Sequence, residues 1–541
     1  MRKHLDTIGT DWSRYLLLFL AILPLFLFRD LTRNNELRYL SIADEAIRDG
    51  HLFTFYNHGT AYADKPPLYL WMLMLGRTLF GHNLGALMSF MSLFSAIPAL
   101  LILRTMNRWV RPFVIDPRAR LAGQLMLFTS VYFLGAAVIL RMDMLMCLFI
   151  VLALHTFWRL YSGASDSEGH LRRDRWLFPV WVFLAIFSKG PVGILVPLVS
   201  VILFLAIRRD WRAIGRYWGW QTWGILLGLC LLWFGAVYLE GGTAYLDNLL
   251  VKQTAGRAVD AFHHKAPVWY YAVSIWYSLA PWSLFAIGVL AWGLCRWRQT
   301  AATDLERFFL VVALSTFGVL SLVSSKIQIY LLPAFPFFIY LALLWSAREG
   351  TRGWMRWLVG IPAALLALAF PAWLIVCYLA PELPVRESLF VPIGTAVLSV
   401  AAVWSLVRLW RGRLYPAITL LGSGILATLF VLSFALPRFN SYIGMGDVCG
   451  AAKTVGDAAG IDRYYTYGIS RAENIDAYLG LPAEGLSAET LDTLQHGIVI
   501  TYRSRIGYDE ALTRAFSGRE VHRVGNYAFG VFDRAETTDQ P

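Results

Sequence analysis

Charged residues and cysteines are scarce in this 541-residue chain. Asp, Glu, Lys and Arg make up 16% of it, whereas about a quarter is usual in soluble domains. Together with a hydrophobic fraction of 57% and a mean hydropathy of +0.53, this excludes an ordinary soluble enzyme. An aromatic fraction of 15% excludes a disordered chain. Five cysteines, four of them in or beside apolar segments, are too few for a disulfide framework.

Nucleotide-binding motifs are also missing. The sequence contains no Walker A loop, no Gly-x-Gly-x-x-Gly motif after a strand-like segment and no Asp-x-Asp motif. A soluble nucleotide-sugar donor therefore has no evident binding site, and we expect neither a nucleotide nor a redox cofactor. The net charge of +12 does not indicate nucleic acid as a partner, because the arginines lie in short gaps between apolar segments, where membrane topology explains them.

Apolar segments are abundant, and many approach the roughly 20 residues that span a bilayer. We predict about thirteen spans, at residues 15–28, 83–103, 119–139, 143–158, 175–188, 190–207, 217–237, 268–294, 306–323, 328–347, 354–377, 389–407 and 414–435. The first follows a basic N-terminus without a small-residue cleavage site, so we interpret it as a retained span. A further apolar segment, residues 68–80, is short and follows two prolines, so we expect it to lie at the membrane interface.

Arginine alternates between the gaps that separate these segments. Six gaps hold three to five arginines each, at residues 104–120, 159–175, 208–216, 296–307, 348–356 and 408–413, whereas the short gaps between them hold one basic residue apiece. Because positive charge favours the cytoplasmic side, this pattern places the arginine-rich gaps and the N-terminus in the cytoplasm. An odd number of spans then places the C-terminal region on the opposite, outer side.

We therefore predict a polytopic α-helical membrane protein with a small C-terminal α/β domain. Residues 1–439 form the membrane part, with long outer loops at 29–67 and 240–267, and residues 440–541 form the small domain. The small domain alternates helical patterns at 445–458, 488–494 and 508–516 with strand-like segments at 463–467, 497–502 and 527–532. No internal repeat is evident.

Isolated polar residues cluster on the predicted outer side, and polar groups at membrane depth are costly enough to be functional candidates. The set comprises Glu36, Arg38, Asp64, Lys65, Asp143, Lys189, Arg257, His263, His264, Lys326 and Tyr330. Each also has a structural interpretation, such as a membrane anchor for Lys65 or an ion pair with Arg141 for Asp143. Taken together, the cations suit a phosphate, and the carboxylates can orient or deprotonate a nucleophile. These groups are the ones needed for group transfer from a phosphate-linked donor. If that donor is a lipid, it could enter the site from the bilayer.

A divalent metal ion is a second possibility at these residues. Asp64, His263 and His264 could ligate one, although no close metal-ligand spacing supports it.

Five short motifs occur in order within residues 10–340. They are Glu36-Leu37-Arg38-Tyr39, Asp64-Lys65-Pro66-Pro67-Leu68, Asp143-Met144, Ser188-Lys189-Gly190-Pro191-Val192-Gly193, and Ser325-Lys326 with Tyr330-Leu331-Leu332-Pro333. In them the chain resembles the C-type (GT-C) glycosyltransferases that use polyprenyl-phosphate sugars. Within these it is most similar to the bacterial lipid A 4-amino-4-deoxy-L-arabinose transferases. The later spans and the C-terminal region match only in general plan.

The resemblance implies an inverting enzyme of the bacterial inner membrane whose active site faces the periplasm. Such an enzyme moves 4-amino-4-deoxy-L-arabinose from undecaprenyl phosphate to a phosphate of lipid A, which confers resistance to cationic antimicrobial peptides such as polymyxin. The implied partners are the lipid-linked sugar, the lipopolysaccharide acceptor and membrane lipids. Thirteen spans and a periplasmic C-terminal domain fit the family's plan.

The residues and the resemblance together assign roles. The predicted catalytic residues are Glu36, Asp143 and Asn35. The predicted donor phosphate-binding residues are Lys65, Arg38, Arg257, Lys326 and Tyr330. The predicted substrate pocket includes Tyr39, Tyr62 and Lys189. The family usually has Asp where this chain has Asn35, and Glu where it has Asp64; an amide cannot act as a base, but a phosphate acceptor is already anionic and needs none.

We expect a single in-line displacement at the anomeric carbon. One alternative is another polyprenyl-phosphate sugar transferase, which would move mannose or galacturonate to protein or to the lipopolysaccharide core. A different class, a transporter or flippase, is disfavoured because transporters carry inverted repeats and midplane charges, whereas the charges here lie at one face and the number of spans is odd.

Overall fold

The computed structural model describes residues 2–164, 167–251, 265–297, 302–380 and 384–533. The α-helices of the membrane part are Arg2–Phe28, Arg38–Asp49, Leu68–Phe80, Leu84–Val110, Pro117–Phe128, Val131–Val138, Asp143–Tyr161, Glu168–Lys189, Val192–Ile207, Trp211–Tyr217, Trp220–Asp247, Tyr270–Ser278, Ser283–Cys295, Asp304–Leu322, Phe335–Arg348, Gly353–Ala367, Ala369–Leu379, Phe390–Trp410, Leu414–Ser433 and Leu436–Ile443. A π-helical turn precedes the second of these at Arg33–Leu37, and 3-10 turns lie at Gln328–Ala334 and Pro384–Arg386.

The helices confirm a polytopic α-helical membrane protein. Eight helical segments of the described residues are long and apolar enough to cross a membrane, and nine if the bent pair Pro117–Phe128 and Val131–Val138 counts as one span. The other predicted spans coincide with helices that are shorter or carry more charge, such as Val192–Ile207 and Glu168–Lys189. The apolar segment after the two prolines is the 13-residue helix Leu68–Phe80.

Two local features of the predicted outer side have clear structural causes. The chain after the first span forms the π-helical turn and then the helix Arg38–Asp49, which ends at Gly50 with φ +76°. The turn between Glu168–Lys189 and Val192–Ile207 needs only Gly190, at φ +105°, and Pro191. A Cβ on Gly193 would lie 2.3 Å from the carbonyl carbon of Ala185, so glycine allows the two helices to meet directly after the turn.

The C-terminal domain has one mixed, five-stranded sheet. In chain order its strands are β3 (Tyr464–Tyr467), β4 (Ala483–Leu486), β5 (His496–Tyr502), β6 (Val521–Val524) and β7 (Tyr527–Asp533); β1 (Tyr56–Asn57) and β2 (Thr60–Ala61) form a separate hairpin in the first outer loop. The sheet order is β4-β3-β5-β7-β6, with β3 parallel to β4 and β5, and β7 antiparallel to β5 and β6. Its helices are Gly446–Ala459, Asp476–Leu479, Ala488–Asp492 and Glu510–Phe516.

The predicted α/β character of this domain is therefore confirmed. The three predicted strand-like segments fall on β3, β5 and β7, and the two strands that the sequence did not indicate, β4 and β6, lie at the sheet edges. Edge strands bury less side-chain surface, and each of these has only four residues, so their periodicity was too weak to detect. The helix Leu436–Ile443 runs across the predicted domain boundary at residues 439/440.

Candidate active site

A cavity of about 370 Å³ lies where the predicted outer-side motifs meet. Its polar lining residues are Asp64, Lys65, Lys189, Ser325 and Tyr330. Its remaining lining is apolar and includes Trp233, Phe234, Leu249, Leu250, Leu320 and Val323. The cavity thus combines two lysine side chains and a phenol with an extensive apolar lining, which suits a ligand with an anionic head and a hydrocarbon chain.

Lys65 is held in the cavity lining by an ion pair. Its Nζ lies 3.0 Å from Oδ2 of Asp64, which also accepts a hydrogen bond of 3.3 Å from the hydroxyl of Tyr62. The prolines after Lys65 start the helix Leu68–Phe80 and end the loop at this point. Burial favours the neutral amine, but the Asp64 carboxylate and the neighbouring tyrosines outweigh it and raise the pKa of Lys65. Lys65 is therefore a fixed cation at neutral pH.

Lys189 is the second lysine of the cavity lining, and it forms an ion pair with Asp143. Asp143 is fully buried at the start of the helix Asp143–Tyr161 and forms ion pairs with Lys189 and, at 3.0 Å from Nε, with Arg141. The Lys189 ammonium also lies 4.4 Å from the ring centre of Tyr330. The structural interpretation of Asp143 as a partner of Arg141 is thus realised, and Lys189 is a second partner that positions this carboxylate beside the cavity.

Glu36 is fully buried and makes a network that sequence reasoning missed. Arg29 binds both of its oxygens, at 2.8 Å from Nη1 and 2.5 Å from Nη2. The backbone N–H groups of Thr32 and Leu140 each donate to it at 2.8 Å. Arg29 also donates to the carbonyl of Val138. Because a carboxylate offers about four acceptor sites, Glu36 is saturated, and it joins the first outer loop to the loop that leads to Asp143.

The other residues of the first motif lie beside the same loop. The Arg38 guanidinium is 5.8 Å from the ring centre of Tyr39 and 5.4 Å from that of Tyr62. Its Nε is buried and has no hydrogen-bond partner among the described residues. Tyr62 thus connects Arg38 to Asp64 and Lys65, and Arg38 keeps donors available for an anion. Asn35 is half-buried in the π-helical turn.

The remaining predicted residues are distributed differently. Lys326 is buried and donates to the carbonyl of Ala266 at 2.9 Å, so it ties the second outer loop to the turn before Tyr330. Arg257, His263 and His264 lie outside the described residues. Within the described ranges no group of three or more His, Cys, Asp or Glu side chains could hold a metal ion. Asp64 is paired with Lys65, and the metal site with His263 and His264 stays a prediction.

Two carboxylates outside the predicted set position the site. Glu240 accepts hydrogen bonds from the backbone N–H groups of residues 52–54 and from the hydroxyl of Thr54, which fixes the two outer loops together. Asp30 accepts hydrogen bonds from the N–H of Gly446 and the hydroxyl of Tyr478. Arg29, Asp30 and Glu240 each follow directly after an apolar segment, on the side where the gaps hold few arginines. That position is the sequence signal that could have indicated them.

Comparisons with known proteins agree with the motifs. No family model matches the chain. It is 26% identical to the undecaprenyl phosphate-alpha-4-amino-4-deoxy-L-arabinose arabinosyl transferase of Edwardsiella ictaluri over 422 residues, 76% of this chain and 73% of that protein. A protein of the same name from Pseudomonas aeruginosa is 27% identical over 75% and 72% of the two chains. An uncharacterised protein of Aquifex aeolicus is 26% identical over 60% of this chain and 62% of its own length.

The fold agrees over almost the whole chain. The crystal structure of ArnT from Cupriavidus metallidurans bound to undecaprenyl phosphate matches with a TM-score of 0.74 at 17% identity, covering 99% of both chains. The likeness that the five motifs indicated is therefore confirmed: the chain is a sequence relative of the undecaprenyl phosphate-aminoarabinose transferases over most of its length, and it has the fold of ArnT.

Proposed function

We propose that the chain is an inverting glycosyltransferase that takes 4-amino-4-deoxy-L-arabinose from undecaprenyl phosphate. The observation that carries the proposal is the cavity, in which Lys65 and Lys189 share the lining with many apolar side chains. A polyprenyl phosphate has the complementary combination of phosphate and hydrocarbon. The named relatives support the sugar, and the undecaprenyl phosphate bound to the Cupriavidus metallidurans protein supports the lipid carrier. No nucleotide or redox cofactor takes part in this proposal.

The chemistry follows from the charges. An acceptor oxygen forms a bond to the anomeric carbon while the bond from that carbon to the phosphate oxygen breaks, and the electron pair leaves with undecaprenyl phosphate. Lys65 and Lys189 stabilise the charge on the leaving phosphate, and Arg38 has donors available for a second phosphate. The oxocarbenium-like transition state is positive, so the nearby carboxylate of Asp64 favours it.

Glu36 and Asp143 stay predicted catalytic residues, and their contacts favour action through neighbours. Asp143 holds Lys189 and Arg141, and Glu36 holds Arg29 and two backbone N–H groups. Each carboxylate thereby holds the side chains and backbone around it in place beside the site. Asn35, in the same turn as Glu36, orients the acceptor without accepting a proton.

The acceptor and location belong to the same proposal. We infer that a phosphate of lipid A is the acceptor, that the site faces the periplasm from the bacterial inner membrane, and that the product confers resistance to cationic antimicrobial peptides. An ionised phosphate needs no base, in keeping with Asn35. The alternative of another polyprenyl-phosphate sugar, such as mannose or galacturonate on protein or lipopolysaccharide core, would use the same cavity.

Mass spectrometry of lipid A tests both the proposed sugar and the proposed acceptor. Lipid A from cells that express the chain, in a host lacking its own transferase but able to make the donor, should carry the mass of one aminoarabinose per modified phosphate. Lys65→Ala should abolish most of this shift, and Lys65→Arg, which keeps the charge, should retain part of it. Unmodified lipid A together with a sugar added to the core or to protein would favour the alternative acceptor.

A further inference from the structure

A second cavity, of about 480 Å³, lies on the arginine-rich face of the protein. It opens between the first turn of the helix Pro117–Phe128 and the junction of the helices Phe390–Trp410 and Leu414–Ser433. Its rim carries Arg118, Arg408 and Arg413. These residues belong to gaps that the arginine alternation places in the cytoplasm, on the opposite side from the candidate active site.

The three rim arginines form no ion pair with a carboxylate of the described residues. Asp116, two residues before Arg118, uses Oδ1 to accept a hydrogen bond from the backbone N–H of Arg118 at 2.9 Å and so caps the helix Pro117–Phe128. Three guanidinium groups around one cavity repel each other, and a bound anion removes that repulsion. Guanidinium is also the side-chain group best suited to bind a phosphate with two hydrogen bonds.

One face of the helix Leu414–Ser433 supplies most of the remaining lining of this cavity. Thr419 and Ser423 are one turn apart on the helix Leu414–Ser433, and Pro416, Leu420 and Leu121 complete the wall. The hydroxyl oxygen of Thr419 is buried without a hydrogen-bond partner in the described structure. At about 1.5 Å of rise per residue, the face extends on the order of 15 Å from Arg413 to Ser423. From the arginine end, apolar and hydroxyl side chains alternate along this face as Pro416, Thr419, Leu420 and Ser423.

We propose that this cavity binds an anionic phospholipid of the bilayer. The rim arginines bind the phosphate, Thr419 donates to an ester oxygen, and the acyl chains lie against the apolar wall. Basic pockets between membrane helices on the cytoplasmic side bind such head groups by the same chemistry. Three guanidinium groups favour a lipid with two phosphates, diphosphatidylglycerol, over one with a single phosphate. The site is independent of the transferase cavity.

Native mass spectrometry of the purified full-length protein tests the proposal, with diphosphatidylglycerol and zwitterionic phosphatidylcholine as the probes. The wild-type protein should retain diphosphatidylglycerol preferentially. Arg408→Gln/Arg413→Gln should weaken that binding by about tenfold or more, because each basic residue near an anionic lipid contributes about a fivefold factor. The matched control is Arg111→Gln/Arg212→Gln, which removes two exposed arginines from the same predicted face and should leave binding unchanged.

Three further measurements separate charge, folding and the source of the phosphate. Arg408→Lys/Arg413→Lys should retain most of the binding, which separates lost charge from lost folding, and Thr419→Val should weaken it by a smaller factor. Inorganic phosphate, at concentrations matched in ionic strength with chloride, should not displace the lipid. Equal binding by wild type and the Gln variant, equal loss in the control, or displacement by free phosphate would each overturn the proposal of a phospholipid site.

Discussion

The hydroxyl of Tyr478, in the C-terminal domain, donates a hydrogen bond to the carboxylate of Asp30 at the end of the first span. Asp30 follows Arg29, which holds Glu36. Asn440 bonds the same segment from both sides, accepting from the N–H of Asp30 and donating to the carbonyl of Phe28. These hydrogen bonds thus connect the C-terminal domain to residues 28–30, the segment whose Arg29 holds Glu36.

Tyr478→Phe should therefore weaken both stability and transfer. Burial and the Asp30 carboxylate raise the pKa of Tyr478, so its hydroxyl keeps its proton and acts as a donor. Removing it leaves a half-buried acceptor with one partner fewer, at about 1 kcal/mol. Thermal unfolding should shift to lower temperature, and transfer should fall several-fold. Tyr508→Phe, at a tyrosine that is 69% exposed in the same domain, is the control; equal behaviour of the two variants would contradict a docking role.

Glu36→Gln and Arg29→Gln should have similar effects if Glu36 acts through Arg29. Breaking a buried ion pair leaves one charge without a partner and costs about 3–5 kcal/mol. The double variant Arg29→Gln/Glu36→Gln should be less destabilised than the sum of the two single changes, which chemical unfolding can measure. Wild-type stability and transfer in Arg29→Gln, beside an inactive Glu36→Gln, would mean that Glu36 acts on the substrate directly.

Lys65→Ala should lower the transfer rate by on the order of 10²–10³, because it removes a charge-assisted contact made mainly in the transition state. The pKa of Lys65 is raised above its usual 10.5, so the charged form is present below that value and is lost only as the pH rises beyond it. The rate of the wild-type enzyme should consequently show no Lys65-dependent decline between pH 7 and about pH 9. Single-turnover kinetics with the lipid-linked sugar measure both effects, and full activity of Lys65→Ala would remove Lys65 from the phosphate site.

Asn35→Asp should change the rate only modestly if the acceptor is a phosphate, since that acceptor is ionised at neutral pH. A hydroxyl acceptor gains about 10²–10⁴ from a positioned base, so a new carboxylate would then raise turnover by about tenfold or more. Asn35→Ala is the paired variant and should lower the rate through lost orientation alone. A large gain in Asn35→Asp that grows with pH through the carboxylate range would count against a lipid A phosphate.

Topology can be tested with a reporter that is active only in the periplasm. Fusion after Asn440 should give an active reporter, and fusion near Arg212, in an arginine-rich gap, should give a silent one. The opposite pattern would exchange the sides of the transferase cavity and of the proposed phospholipid cavity.

The sequence predicted those residues of the site that belong to short, local motifs. Lys65 and Lys189 each stand in a short motif with proline or glycine beside the lysine, and the cavity brings both together with Tyr330. The partners of the acidic residues were harder to predict. Arg29 is 109 residues from the Val138 carbonyl that it binds, and no local periodicity reports such a contact. The apolar lining, from Trp233 to Val323, looked like ordinary membrane-span sequence.

The lining of the transferase cavity also determines when the site can exist during synthesis. Its walls come from residues 63–66, 186–195, 233–250 and 320–330, which are spread over almost half of the chain. Lys65 emerges from the ribosome long before Tyr330, so Asp64 and Lys65 are made while the helices that carry the other walls of the cavity are still missing. The ion pair with Asp64 therefore also matters before the chain is complete. It neutralises the charge of Lys65 until the segment that contains Tyr330 has been synthesised and the cavity can form.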